Sequence, residues 1–192
     1  MRKKRIAIFA SGSGTNAERI MSHFRDHPSA EVAIVLSNKP DAKVLERALK
    51  FGVPRRVFNR AVFYDSPEIV DLLQEINIDL VVLAGFLWLI PSGLLKAFEG
   101  RIVNIHPALL PRYGGKGMYG RHVHEAVLAS GDRESGISIH HVNEVYDDGK
   151  IIFQAKCEVR PGDTPDTLAA RVHALEYRHY PTVLEKLLAE ME

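Results

Sequence analysis

"RIAIFASGSGTNA", residues Arg5 to Ala17, passes from a strand through a glycine turn into a helix, and this unit sets the architecture of the rest. Arg5–Ala10 is a short apolar run, the pattern of a buried strand. Ser11-Gly12-Ser13-Gly14 ends it, and helical spacing follows from Asn16 to Phe24. The same alternation continues downstream. Glu31–Ser37 reads as a second strand and Asp41–Phe51 as a helix closed by Gly52. Val53–Phe58 is a short third strand. Pro67–Ile76 is a helix with Ser66 as N-cap and Pro67 at the first helical position. Asp79–Gly85 is an apolar central strand, Leu94–Phe98 a short helix and Arg101–Ile105 the next strand. The expected fold is α/β, a Rossmann-like, mostly parallel twisted sheet with helices on both faces.

After Pro111 the pattern changes. Gly114, Gly115, Gly117 and Gly120 make a loop, and Val123–Ala129 reads as a helix. Gly136–Val142 and Lys150–Val159 flank Asp147-Asp148-Gly149 and should form an antiparallel C-terminal strand pair. A long helix closes the chain, with Thr164 as N-cap, Pro165 in its first position and Leu168, Val172 and Leu175 at helical spacing. Pro181 should kink or restart it before Val183–Leu188.

The 192 residues suit one domain, and the net charge of +1 gives no basic footprint for nucleic acid. The opening Met1–Arg5 run is basic and reads as a solvated tail before the first strand. The apolar run after it is too short for a signal sequence or a membrane span. The single cysteine, Cys157, rules out an internal disulfide framework. Together these features predict a cytoplasmic protein with neither a membrane nor a nucleic-acid partner.

Four segments carry possible chemistry. Gly12, Gly14 and Ala17 fit a dinucleotide-type glycine pattern, but Ser37-Asn38-Lys39 offers no acid for a ribose. A helix N-terminus preceded by glycines still suits one phosphate, with Thr15 and Asn16 adding donors; the alternative is a plain tight turn. "RIVNIHPALLPRY", Arg101 to Tyr113, puts Asn104 and His106 two apart at a strand end, where open parallel sheets bind ligands. An amide donor and an imidazole there can hold an oxyanion and move a proton, with Pro107 stiffening the exit. Asp147-Asp148-Gly149 is a turn by composition, and sequence alone does not show a carboxylate reaching His106. Ala84–Pro91 carries the only tryptophan and reads equally as a core segment or as the wall of an aromatic ligand's pocket. His122, His124, His140 and His141 lack metal-ligand spacing, so no metal is expected. By periodicity Glu176 is a solvated or half-buried helix residue.

Taken in order, "SGSGTN", "VVLAGF", "NIHPALLP", "YDDGKII" and "GDTPDTLAARVHALEYRHYP" resemble the folate-dependent formyltransferases, in particular the phosphoribosylglycinamide formyltransferases, over nearly the whole chain. The resemblance implies one formyltransferase domain, with residues 1–100 as a phosphate-binding half and 101–192 as a catalytic and folate-binding half. It implies formyl transfer from 10-formyltetrahydrofolate, as co-substrate, to the amine of glycinamide ribonucleotide in de novo purine biosynthesis, without a metal. Asn104, His106 and Asp147 would be the catalytic trio, with Asp147 keeping His106 cationic. Gly14, Thr15, Asn16, Pro107 and Glu176 would bind the ribonucleotide. Leu87, Trp88, Leu89 and Ile90 with Val145, Tyr146, Asp148 and Gly149 would frame the pterin. The partners implied are small molecules, with the chain a monomer or weak homodimer. Leu87-Trp88 stands where many members have Met-Arg, and no arginine lies at Ser66–Pro67 to meet the folate tail, leaving Arg60 or a loose hold. The Gly114–Gly120 loop is longer than in many members. Related readings are a formyl-folate hydrolase, a sugar-amine formyltransferase and a nucleotide-binding module without chemistry.

Overall fold

The structure is a computed structural model and describes residues 2–191. Seven strands alternate with seven helices: β1 (Lys4–Phe9), α1 (Thr15–Phe24), β2 (Ala30–Ser37), α2 (Lys43–Lys50), β3 (Arg55–Val57), α3 (Arg60–Tyr64), α4 (Glu68–Glu75), β4 (Leu80–Leu83), α5 (Ser92–Ala97), β5 (Ile102–His106), α6 (Arg121–Ala129), β6 (Glu134–His141), β7 (Ile151–Glu158) and α7 (Pro165–Glu190). They build one sheet in the order β3-β2-β1-β4-β5-β6-β7. The first five strands run parallel, and β6 is antiparallel to both β5 and β7. The expected α/β architecture is therefore present, with the antiparallel part starting at β5 rather than inside the last pair alone.

Alternation along the strands sorts the core into two layers. Ile6 and Ile8 join Val82, Val103 and Ile105 beneath α1, α2 and α7, whereas Ala7 and Phe9 join Val81, Leu83 and Ile102 beneath α4 and α5. Both faces are covered, which is why these strands carry no polar alternation. The chain leaves β1 toward β2 on one side and returns to β4 on the other, so the C-terminal ends of β1 and β4 form the switch point of the sheet. There Ser11 N–H donates to the Gly85 carbonyl at 3.0 Å.

Several boundaries differ from expectation. The first strand takes in Lys4, and the Arg2 guanidinium pairs with Asp79 at 2.7 Å, so the basic tail is partly held; Met1 lies outside the described residues. One turn of helix, α3, fills the segment after β3; its N-cap Asn59 side chain accepts from Val62 N–H at 2.9 Å. In α4 the N-cap is Pro67, and Ser66 Oγ accepts from Glu68 N–H at 3.1 Å. Pro181 does not end α7, which runs through it, capped at Thr164 by a reciprocal box with Thr167. Pro181 is buried, and its helix neighbours Tyr180, Val183 and Leu184 lie in the core, so tertiary packing holds the helix together across the lost N–H. Among the described residues no helix is long and apolar enough to cross a membrane.

Candidate active site

The switch point opens into a cleft of about 810 Å³, within the size range of small-molecule sites. Strand β5 delivers two side chains to it. Period-two alternation sends Val103 and Ile105 into one core layer and turns Asn104 and His106 to the opposite face. The antiparallel register then sets His140 of β6 directly across from Asn104.

His106 is nearly fully buried. Its Nε2 lies 2.7 Å from the Tyr113 carbonyl oxygen, which only accepts, so Nε2 carries a proton. In the neutral ring Nδ1 is then the lone-pair nitrogen, and it faces Asp147 Oδ2 at 3.5 Å. The separation is long for a hydrogen bond, and a proton on Nδ1 makes the contact a charged one. Burial pulls the imidazole below its ordinary value more strongly than Asp147 raises it. Burial therefore works against the expectation that Asp147 holds His106 cationic.

Asp147 lies in the loop between β6 and β7, with φ of 54°. This loop is longer than the tight turn read from sequence, since the strands end at His141 and resume at Ile151. The carboxylate folds back over the sheet edge. Oδ2 accepts from Gly115 N–H at 3.0 Å, and Oδ1 lies 3.4 Å from Asn104 Nδ2 and 3.6 Å from His140 Nε2. Burial alone would raise its pKa, but contacts from His140, His106 and Gly115 outweigh that and hold it below the usual carboxylate range. His140 Nδ1 donates to the His141 carbonyl at 2.8 Å, so in the neutral ring Nε2 accepts from Asn104 Nδ2 at 3.2 Å. This contact orients the Asn104 amide, with its donor nitrogen toward Asp147.

At one end of the cleft Gly14 caps α1 with φ of 70°, and a Cβ there would stand 2.5 Å from the Val44 side chain. Thr15 and Asn16 follow in the first turn, where unpaired N–H groups and the positive helix end suit an anion. Asn16 Nδ2 donates to Glu176 Oε2 at 3.0 Å, while Asn16 Oδ1 is buried with no partner among the described residues. Glu176 is buried, contrary to its periodicity, because α1 packs over that face of α7; burial raises its carboxyl above the ordinary value. Pro107 lines the wall beside His106.

The other end is apolar. Leu87, Trp88, Leu89 and Ile90 line it, held by Leu87 N–H on Ser11 Oγ at 3.1 Å and by the Tyr64 hydroxyl on the Leu89 carbonyl at 2.9 Å. The segment is both core and wall: Ile90 is buried, Leu87 is exposed, and the Trp88 ring sits among Phe58, Phe63 and Tyr64. Val145 and Tyr146 line the cleft opposite, but Asp148 and Gly149 do not. Asp148 Oδ2 accepts from Asn143 Nδ2 at 3.3 Å, and Gly149 fits closely against the His141 carbonyl, where a Cβ would clash. The Arg60 guanidinium lies over the Tyr64 ring at 4.8 Å and the Trp88 ring at 5.8 Å, outside the lining.

Sequence reasoning missed several participants. His140, the Tyr113 carbonyl and the Gly115 N–H all depend on long-range register or loop path. His124 is buried and lines the cleft, with its pKa lowered to about 4 by burial first and then by His173 and His106, whereas His122 is exposed. His173 lines the cleft one turn before Glu176. Among the described residues no group of three or more His, Cys, Asp or Glu is arranged to hold a metal ion.

Asn104, His106 and Asp147 thus meet in the cleft at the switch point, which a helix-opening glycine turn and an apolar wall also line. The chain belongs to the formyl transferase family, whose pattern matches residues 4–184. It is 44% identical to the chloroplastic phosphoribosylglycinamide formyltransferase of Arabidopsis thaliana, covering 98% of this chain and 67% of that protein. A second chloroplastic relative, from Vigna unguiculata, is longer still, and the chain spans 62% of it. The phosphoribosylglycinamide formyltransferase of Bacillus subtilis is 38% identical over 96% of this chain and 95% of its own length. Among solved structures, the phosphoribosylglycinamide formyltransferase of Bacillus halodurans superposes with a TM-score of 0.86 at 42% identity, covering 98% of this chain and 97% of that one. Glycinamide ribonucleotide transformylase 1 of Geobacillus kaustophilus gives 0.87 at 39% identity, over 97% and 100%.

Proposed function

We propose that this chain transfers the formyl group of 10-formyltetrahydrofolate to the amine of glycinamide ribonucleotide, a step of purine biosynthesis. One observation carries the reading: Asn104, His106 and Asp147 meet midway along a cleft with an anion-binding turn at one end and an apolar wall at the other. In this reading the ribonucleotide phosphate sits on the Gly14–Asn16 turn, and Glu176 and Pro107 flank its glycinamide part. The pterin lies against Leu87–Ile90, Val145 and Tyr146, with Asp148 and Gly149 shaping the loop that carries Asp147.

The amine nitrogen attacks the formyl carbon, and the carbonyl electron pair moves onto oxygen. Asn104 Nδ2 turns one N–H from Asp147 to that oxyanion; one such donor contributes about 2.7–4 kcal/mol in the transition state. His106 Nδ1, neutral at rest, takes the amine proton, and Asp147 stabilises the imidazolium that results. The proton then passes to N10 of the folate as the carbon–N10 bond breaks, releasing tetrahydrofolate and the formylated amide. Holding both substrates in one cleft lowers the barrier by up to about 7–11 kcal/mol relative to their free encounter.

The test mixes the full chain with 10-formyltetrahydrofolate and glycinamide ribonucleotide and follows deformylated folate by absorbance. Release that needs the amine supports the reading; release without it identifies a hydrolase, and no release with either sinks the proposal.

A further inference from the structure

A second cavity, of about 320 Å³, shares no lining residue with the cleft. Its size reaches the lower end of the range for small-ligand sites, about 300 Å³ upward. Its lining carries Arg112 and Arg133 against Asp132 and Glu134, and each carboxylate has a cation of its own. Asp132 pairs with Arg112 at 2.8 Å and accepts from the Tyr113 hydroxyl at 2.5 Å. Glu134 pairs with Lys156 at 2.9 Å. Arg133 also lines the cavity and forms no ion pair among the described residues. Beside it Ser135 is 2% exposed, and its hydroxyl has no hydrogen-bond partner among the described residues. A buried hydroxyl left unpaired is an exception that points to an occupant. Arg133, exposed and two residues before Ser135 in the same lining, brings a guanidinium free of ion pairs among the described residues, which favours negative charge.

The cavity also touches the chemistry. The Tyr113 side chain forms part of its wall, while the Tyr113 carbonyl accepts from His106 Nε2 at 2.7 Å. Tyr113 holds a left-handed backbone with φ of 58°, and its hydroxyl is tied to Ser130 and Asp132 at 2.5 Å, so one residue bears on both sites.

We propose that this cavity binds a small oxyanion, a carboxylate or phosphate group held by the Ser135 hydroxyl and the Arg133 guanidinium, and that its occupancy tunes His106 through Tyr113. The binding half stands apart from the function proposed above; the tuning half rests on it.

The experiment uses the full chain and two probes, inorganic phosphate and acetate, titrated at constant ionic strength with chloride as control. Backbone amide resonances are followed by NMR. Saturable shifts at Tyr113, Arg133 and Ser135 are expected with at least one probe, and in Arg133→Gln and Ser135→Ala that probe should bind at least about tenfold more weakly, a difference equivalent to about 1.4 kcal/mol. The Thr15 and Asn16 amides report phosphate at the main cleft independently. In turnover assays, an occupied second cavity should lower kcat in the wild type but not in Arg133→Gln. Competition at the main cleft should raise KM equally in both. Shifts confined to Thr15 and Asn16, or unchanged affinity in Arg133→Gln, would overturn the site. Binding with an unmoved kcat would overturn the link through Tyr113. A chain inactive toward the formyl donor removes the kinetic arm together with the functional reading and leaves the amide arm to decide the site.

Discussion

His106 Nε2 donates to the Tyr113 carbonyl at 2.7 Å, and this contact leaves Nδ1 as the ring nitrogen that faces Asp147. Nδ1 faces both the cleft and Asp147, so a proton taken there is stabilised where it lands. A backbone acceptor in one loop and a carboxylate in another thus fix the imidazole from its two sides.

Removing the ring should therefore abolish proton transfer while leaving substrate binding largely intact. His106→Ala is expected to lower kcat by about 10²–10⁴-fold with little change in KM. Asp147→Asn should fall in the same range, because the imidazolium loses its counter-charge. Steady-state kinetics on purified variants, with circular dichroism to confirm folding, decides it. Near-wild-type turnover in either variant would remove that residue from the mechanism.

The pH dependence follows from the sign of the shift. The His106 pKa lies below the ordinary 6.5, and Asp147 opposes that lowering. If neutral Nδ1 is the working form, kcat/KM should rise through that depressed pKa and reach its plateau by about pH 7. In Asp147→Asn the His106 titration should move to still lower pH, since the group that raised it is gone. An upward move, followed by NMR of the ring carbon protons, would contradict the assigned electrostatics.

Asn16 joins α1 to α7 through its bond to Glu176. Asn16→Ala should weaken the ribonucleotide, raising its KM by about 10–100-fold, as expected for loss of a hydrogen bond to a charged group worth about 1.5–3 kcal/mol. The KM for the formyl donor should change far less. Equal losses for both substrates would mean that Asn16 supports the whole cleft rather than its anion-binding end.

His124 predicts how stability responds to acid. Its pKa is about 4 in the folded chain against an ordinary 6.5, so below 6.5 the unfolded chain takes up the proton first. Stability should fall as pH drops from 6.5 toward about 4 and then lose this dependence, with His106 acting in the same direction. His124→Gln should show a smaller loss between pH 7 and pH 4.5 in urea unfolding midpoints. An identical loss in both proteins would place the acid sensitivity elsewhere.

Much of the fold could be read before any coordinates, because helix and strand periodicities are local properties. RIAIFA, AIVLS and VVLAG announce buried strands, and Thr164-Pro165 announces a helix start. The single turn of α3 was not announced, since a helix that short has no period to detect. Pro181 suggests a kink or a restart, and α7 does not restart there: it runs on through a buried Pro181. For the site, Asn104 and His106 were visible as a period-two pair at a strand end. The place of Asp147 was not, because its contact with His106 depends on how a loop returns across the sheet. Nor was that of His140, which stands opposite Asn104 only once β5 and β6 take their antiparallel register. Glu176 was misread because a helix's own spacing does not show what a second helix lays over it.

The Tyr180 hydroxyl, buried on α7, lies 2.9 Å from the Leu83 carbonyl and 3.2 Å from that of Val103, the residue just before Asn104. The last helix thereby clips together the tips of the two neighbouring strands that shape the centre of the cleft. A single phenol on α7 thus ties the closing helix to the strand ends beside the cleft, so the alignment of Asn104 and the packing of the core share one fastening.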